Sequence, residues 1–218
     1  MRATRDLRRL REDVLHRLGR IRVHADQALR TSDPAIGISF AVMELDSLWI
    51  GVSRSLFLST AFTAKDGSGA RLQLSKVPRA HDIDEALTHA IRRCTRRYKP
   101  GSTGPWRWPD EPLWWKPQTL MDALDEIGAS NYAQVVTALG IAPAVFADLH
   151  AFRNFYAHRG KDTRSLLVPV LRSLNFPTTE TATRALSSPL ITAASGVRPQ
   201  PLILDWIDDI EATVTTAI

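Results

Sequence analysis

From Asp6 to Arg30, the apolar residues Leu7, Leu10, Val14, Leu18, Ile21, Ala25 and Ala28 recur every three or four positions, with arginines between them. That spacing predicts an amphipathic first helix with its charges turned outward. Thr31-Ser32-Asp33-Pro34 interrupts the pattern, with Asp33 suited to an N-cap and Pro34 to a first helical position. A second helix is expected from Pro34 to about Phe62. Its near-continuous apolar character places it at the centre of a bundle, with Trp49 and Phe57 as core or interface anchors. Glu44, Asp46 and Arg54 are the charged exceptions within it.

Further along, Asp82 or Asp84 can cap a third helix that reaches Tyr98. Residues 99–118 are an irregular connection rich in Pro, Gly and Trp, in which the prolines suit Trp106, Trp108, Trp114 and Trp115 to packing more than to stacking bases. Thr119–Ile127 reads as a short helix and Asn131–Leu139 as another, capped by Ser130. Pro143 fits the first turn of a helix that Gly160 stops. Ser165–Leu174 is expected as a helix interrupted at Pro169, 175–199 as an irregular excursion, and Pro201–Ala217 as a terminal helix. The expectation is an all-α bundle with no substantial sheet. Residues 1–175 form its helical domain with an insertion at 63–140, and 176–218 an extension packed on the same domain.

The length of 218 residues and an apolar content of 44% support one sizeable core. Cys94 is the sole cysteine, which excludes an internal disulfide framework. The charged start lacks a signal-like apolar segment and no uninterrupted apolar run is long enough to span a bilayer, so a cytoplasmic chain with no membrane partner is expected. Net charge is +5, unevenly placed: residues 1–30 hold nine arginines against four acids, and residues 71–99 hold eight basic residues against three acids. Arg92, Arg93, Arg96, Arg97 and Lys99 form the densest basic cluster and the leading candidate for RNA-backbone contact. A helix C-terminus also favours basic side chains through its dipole, so the cluster has a structural reading too. Lys65–Ala70 lacks the Walker pattern, and the histidines and acids show no metal-binding spacing, so neither a cofactor nor a metal is expected.

The chemistry concentrates in Phe152-Arg153-Asn154-Phe155-Tyr156-Ala157-His158-Arg159-Gly160. On a helix, Asn154 and His158 are four apart and share a face, and Arg153 beside them is long enough to reach the same volume. Val145, Phe146, Leu149, Phe152 and Tyr156 form the adjoining apolar stripe. Cleaving RNA through its own 2′-hydroxyl needs a proton acceptor, positive charge near the phosphorane oxygens and a proton donor. Histidine and arginine supply these groups, and Asn154 can orient the imidazole or hold a phosphate oxygen. One histidine does not readily serve as both base and acid, which calls for a symmetry mate. Glu44 or Asp46 either approaches this motif and orients Arg153 or His158, or pairs with an arginine of the first helix. The same polar groups also suit a satisfied seam in a bundle.

Arg153-Asn154-x-x-x-His158, followed by Arg159-Gly160, resembles the Arg-x(4–6)-His motif of the HEPN superfamily (higher eukaryotes and prokaryotes nucleotide-binding). Asn154 matches the polar residue that often follows the motif arginine, and Arg159 the basic residue after the histidine. The resemblance implies a homodimeric helical bundle whose paired motifs form a composite, metal-independent endoribonuclease site that leaves 2′,3′-cyclic phosphate ends. It assigns Arg153 to phosphate binding, His158 to acid-base chemistry and Asn154 to support, with Tyr156 as a further supporting candidate. It also implies a toxin or phage-defence role under an antitoxin or sensor protein, or else a noncatalytic nucleotide- or RNA-binding or antitoxin-type subunit.

Overall fold

The N-terminal periodicity becomes α1, Leu7–Leu29, and all seven of its apolar positions are buried. The computed structural model describes residues 3–96, 98–99, 101–192 and 196–218. Among these, α1 is followed by α2 (Ala35–Ala61), α3 (Ile83–Cys94), α4 (Pro117–Ile127), α5 (Tyr132–Leu139), α6 (Val145–His158), α7 (Lys161–Ser173), α8 (Ala182–Ser187) and α9 (Leu202–Ala217). A two-stranded antiparallel hairpin, β1 (Pro189–Thr192) with β2 (Gly196–Pro201), is the sheet found in the described residues. The class is all-α.

Two compact units divide the chain: Met1–Val14 with Trp49–Pro143 and Ala212–Ile218, and Leu15–Leu48 with Ala144–Glu211. Each of α1, α2 and α9 contributes a segment to both. Ala144–Glu211, on both sides of position 175, falls in one unit. By length and composition α2 is able to cross a membrane, with 27 residues and a mean hydropathy of 1.5 over its most apolar window. Its apolar run is not uninterrupted. Glu44, Asp46 and Arg54 within it all form ion pairs.

In the first unit, α3 begins as expected, with the Asp82 carboxylate accepting the Glu85 amide. It stops at Cys94 instead of Tyr98, because Thr95 turns to extended backbone while its N–H still bonds to Ile91 O. The Ser130 hydroxyl does not cap α5; it accepts the Gln73 amide at 3.0 Å. At the end of α4, Gly128 adopts φ +65°, and an added Cβ would lie 2.2 Å from Ser75 Oγ and 2.9 Å from Lys76 N. Glycine is needed there both for the left-handed turn and for close contact.

The Trp/Pro-rich connection is largely exposed, but its tryptophans pack. Trp114 is buried beside Phe57 at 5.4 Å, the Trp106 indole donates to Thr88 Oγ1 at 2.8 Å, and the Trp49 indole donates to Trp115 O at 3.0 Å. Trp108 is the exception and is exposed. The segment is fastened by Arg54, whose Nε and Nη2 donate to the two Glu111 oxygens at 2.6 and 2.8 Å while the Trp114 indole donates to Glu111 at 2.9 Å. A two-pronged guanidinium–carboxylate pair with a third donor satisfies a nearly buried acid.

In the second unit, α1 and α2 approach closely at Gly37, where a Cβ would sit 2.4 Å from Ala28 Cβ. Arg22 of α1 pairs with Asp208 and, at 4.0 Å, with Glu211 of the acidic terminal helix. Phe152 of α6 meets Trp206 edge-on at 5.4 Å. Pro169 does not interrupt α7, which runs through it. Leu167 and Leu171, buried on either side of the proline, hold the helix despite the missing donor. The expected excursion at 175–199 contains α8 and most of the hairpin.

Replacing Glu111 with Gln should lower unfolding free energy by about 3 kcal/mol, because Arg54 is left without its counter-charge. Urea denaturation checks this. The same substitution should raise the fluorescence sensitivity of the tryptophan segment to quenchers.

Candidate functional site

The motif helix begins at Val145, with Ala144 in helical backbone before it, so Pro143 lies outside the first turn. Four residues of the expected apolar stripe, Val145, Phe146, Leu149 and Phe152, are buried, whereas the fifth, Tyr156, is half-buried. The stop differs. Arg159, not Gly160, takes the left-handed position at φ +42°, and its amide bonds to Phe155 O at 2.8 Å. An arginine there carries a conformational cost that glycine avoids. Gly160 instead caps α7 in extended backbone.

Asp46 organises the helix edge. Its side chain is 1% exposed, and its Oδ1 lies 3.0 Å from His150 Nδ1. Its Oδ2 lies 3.7 Å from Arg153 Nε, an ion pair without a hydrogen bond. Arg153 is half-exposed and donates from Nη1 to Asn154 Oδ1 at 3.0 Å. A carboxylate oxygen accepts, so in this contact His150 Nδ1 is the donor. The result is a carboxylate, an imidazole, a guanidinium and an amide along one helix edge.

The acids of α2 divide between the two expected roles. Glu44 pairs with Arg17 of α1 at 3.4 Å and does not reach the motif. Asp46 does reach it. His158 is exposed at the last position of α6 and, among the described residues, makes no hydrogen bond or ion pair with Asp46, Arg153 or Asn154. His158 is five positions after Arg153, which places the two about 140° apart around the helix axis. A single chain therefore does not close Arg153 and His158 into one constellation.

Tyr156 and Arg159 line a hollow of about 410 Å³ together with Phe155, Arg164 and Thr183. The Tyr156 hydroxyl is 3.1 Å from Thr183 Oγ1, and burial pushes its pKa up to about 12, so it remains protonated at neutral pH. The basic cluster is less uniform than the sequence suggests. Arg92 is tied to Glu126 of α4, Arg93 is exposed, Arg96 and Lys99 are exposed beyond the end of α3, and Arg97 lies outside the described residues.

His150 is the residue that sequence reasoning missed. It precedes Asn154 by four and His158 by eight, so all three follow one side of the helix. Attention to the arginine–histidine spacing downstream hides that upstream repeat. Asp148, two residues before it, is raised by burial to about 6.

Asp46→Ala should destabilise the chain by about 3 kcal/mol, whereas Glu44→Ala at the more exposed pair should cost less than about 1 kcal/mol; urea titrations compare them. For Asp148, a folded pKa above the unfolded value means that its contribution is present near pH 4 and lost as pH rises through about 6. Asp148→Asn should therefore stabilise the protein at pH 7 by about 1 kcal/mol, after allowing for partial solvation, and flatten thermal stability across that window. Comparison with protein-family models, curated proteins and solved structures gave no match for this chain.

Proposed function

We propose that the chain is a metal-independent endoribonuclease of HEPN-like type, acting as a cytoplasmic homodimer. The observation that carries this reading is the edge of α6. Arg153 is held through Nε by Asp46 and through Nη1 by Asn154, remains half-exposed, and has Nη2 for a phosphate oxygen. His158 stands exposed at the end of the same helix.

In the composite site, an imidazole takes the proton of the RNA 2′-hydroxyl. The oxygen attacks the adjacent phosphorus, Arg153 stabilises the charge on the phosphorane oxygens, and the P–O5′ bond breaks. A protonated His158 from the other copy delivers a proton to the leaving O5′. The products are a 2′,3′-cyclic phosphate and a 5′-hydroxyl end. Such an activity suits a toxin or phage-defence effector held in check by an antitoxin or sensor protein.

A second reading is a noncatalytic nucleotide- or RNA-binding subunit, or an antitoxin-type partner. The ion pairing of Arg153 by Asp46 favours it, because the same carboxylate that orients the guanidinium also neutralises part of its charge.

Purified protein incubated with mixed RNA in EDTA should yield 2′,3′-cyclic phosphate ends. His158→Ala should reduce cleavage by about 10²-fold or more while melting like the parent. Arg153→Lys should impair turnover despite retaining charge, because the planar fork is lost. Full activity in equally stable His158→Ala and Arg153→Ala proteins would contradict the mechanism, and tight RNA binding without turnover would favour the second reading.

A further inference from the structure

The chain leading into α1 and the loop after α2 build a different site. Leu7 N donates to Lys65 O at 2.8 Å, Lys65 N to Arg5 O at 3.0 Å, and Leu72 N to Ala64 O at 2.9 Å. These bonds accompany a parallel bridge between Asp6 and Lys65 and an antiparallel one between Lys65 and Arg71. Main-chain pairing thus sets Arg5, Lys65 and Arg71 side by side. With Arg9 and Arg79 they line a cavity of about 560 Å³.

Its electrostatics are one-sided. All five cationic side chains belong to exposed residues, and among the described residues none makes an ion pair. The lining's one acid, Asp6, is committed to Arg8, with its carboxylate 3.1 Å from Nη2 and accepting the Arg8 amide at 3.0 Å. Like charges gathered around one hollow repel, and a bound polyanion relieves that repulsion.

Two further features shape the cavity. Phe62 gives it a half-buried aromatic wall. Thr63 holds a left-handed backbone, φ +52°, at the end of α2, where Ala64 N reaches Ser59 O and Thr63 N reaches Thr60 O. This helix-ending turn usually takes glycine, so a β-branched residue there is held by its surroundings. The volume falls within the range of about 300–1,000 Å³ that suits small ligands.

We propose that this cavity binds a nucleotide carrying two or more phosphates, with the five cations on the phosphate chain and Phe62 against the base. The site uses none of the α6 residues and stands or falls independently of RNA cleavage. A length of RNA also carries phosphates, but a bounded hollow with one aromatic wall favours the small ligand over an extended strand.

Calorimetric titration at about 150 mM salt with ATP, inorganic triphosphate, adenosine and a short single-stranded RNA tests the proposal. ATP and triphosphate should bind, adenosine should not, and ATP should displace the RNA if both occupy the cavity. The double substitution Arg71→Glu with Arg79→Glu should weaken ATP by about tenfold or more, equivalent to about 1.4 kcal/mol, with unchanged thermal melting. Should that pair lower the melting temperature, Arg71→Gln with Arg79→Gln should still weaken ATP without doing so. Absence of ATP binding at millimolar concentration would overturn the proposal. So would an affinity indifferent to both variants, or RNA binding through Arg71 and Arg79 that ATP does not displace.

Discussion

A carboxylate in the apolar run of α2 sets the terms for the α6 edge. A carboxyl group with almost no solvent exposure must have partners, and Asp46 finds them in His150 and Arg153. The contacts restrict both sides: His150 and Arg153 hold the carboxylate in place, and the carboxylate restricts their orientation. Asn154 then steadies the other side of the guanidinium. Ordering these groups before a ligand arrives lowers the entropy that binding must overcome.

The other charges of α2 follow the same logic with different consequences. Arg54 and Glu111 fix the tryptophan-rich connection, while Glu44 and Arg17 join α2 to α1 where more solvent reaches them. Burial separates these roles. The Arg54 pair and the Asp46 cluster are places where loss of one partner strands a charge, whereas the Glu44 pair is screened. This separation also explains why positive charge alone is a poor guide to a binding surface. Arg92 and Arg22 are paired with acids, whereas among the described residues the five cations around the cavity before α1 form no ion pair.

The long periodic elements were legible from sequence because burial dominates them: the seven apolar positions of α1 all lie in the core, and so do Val145, Phe146, Leu149 and Phe152 of α6. Local competition displaced the finer details. Ser130 prefers the Gln73 amide to the cap of α5, buried leucines carry α7 through Pro169, and Arg159 takes the left-handed position that the sequence suggests for Gly160. At the candidate site, Arg153, Asn154 and His158 were readable as a group, but nothing in the sequence reveals which acid of α2 faces α6. His150 was readable by its four-residue step to Asn154, yet its partnership with Asp46 is a tertiary contact across more than a hundred residues.

Asp46 sets the hydrogen-bonding tautomer and orientation of His150 and, with it, the polar edge of α6. Long-range nitrogen–proton NMR of histidine-labelled protein tests this most directly. The account predicts that neutral His150 carries its proton on Nδ1 and that Asp46→Asn shifts this tautomer preference in a folded protein. A His150 protonated on Nε2 in the parent protein, or a spectrum indifferent to Asp46, would contradict it.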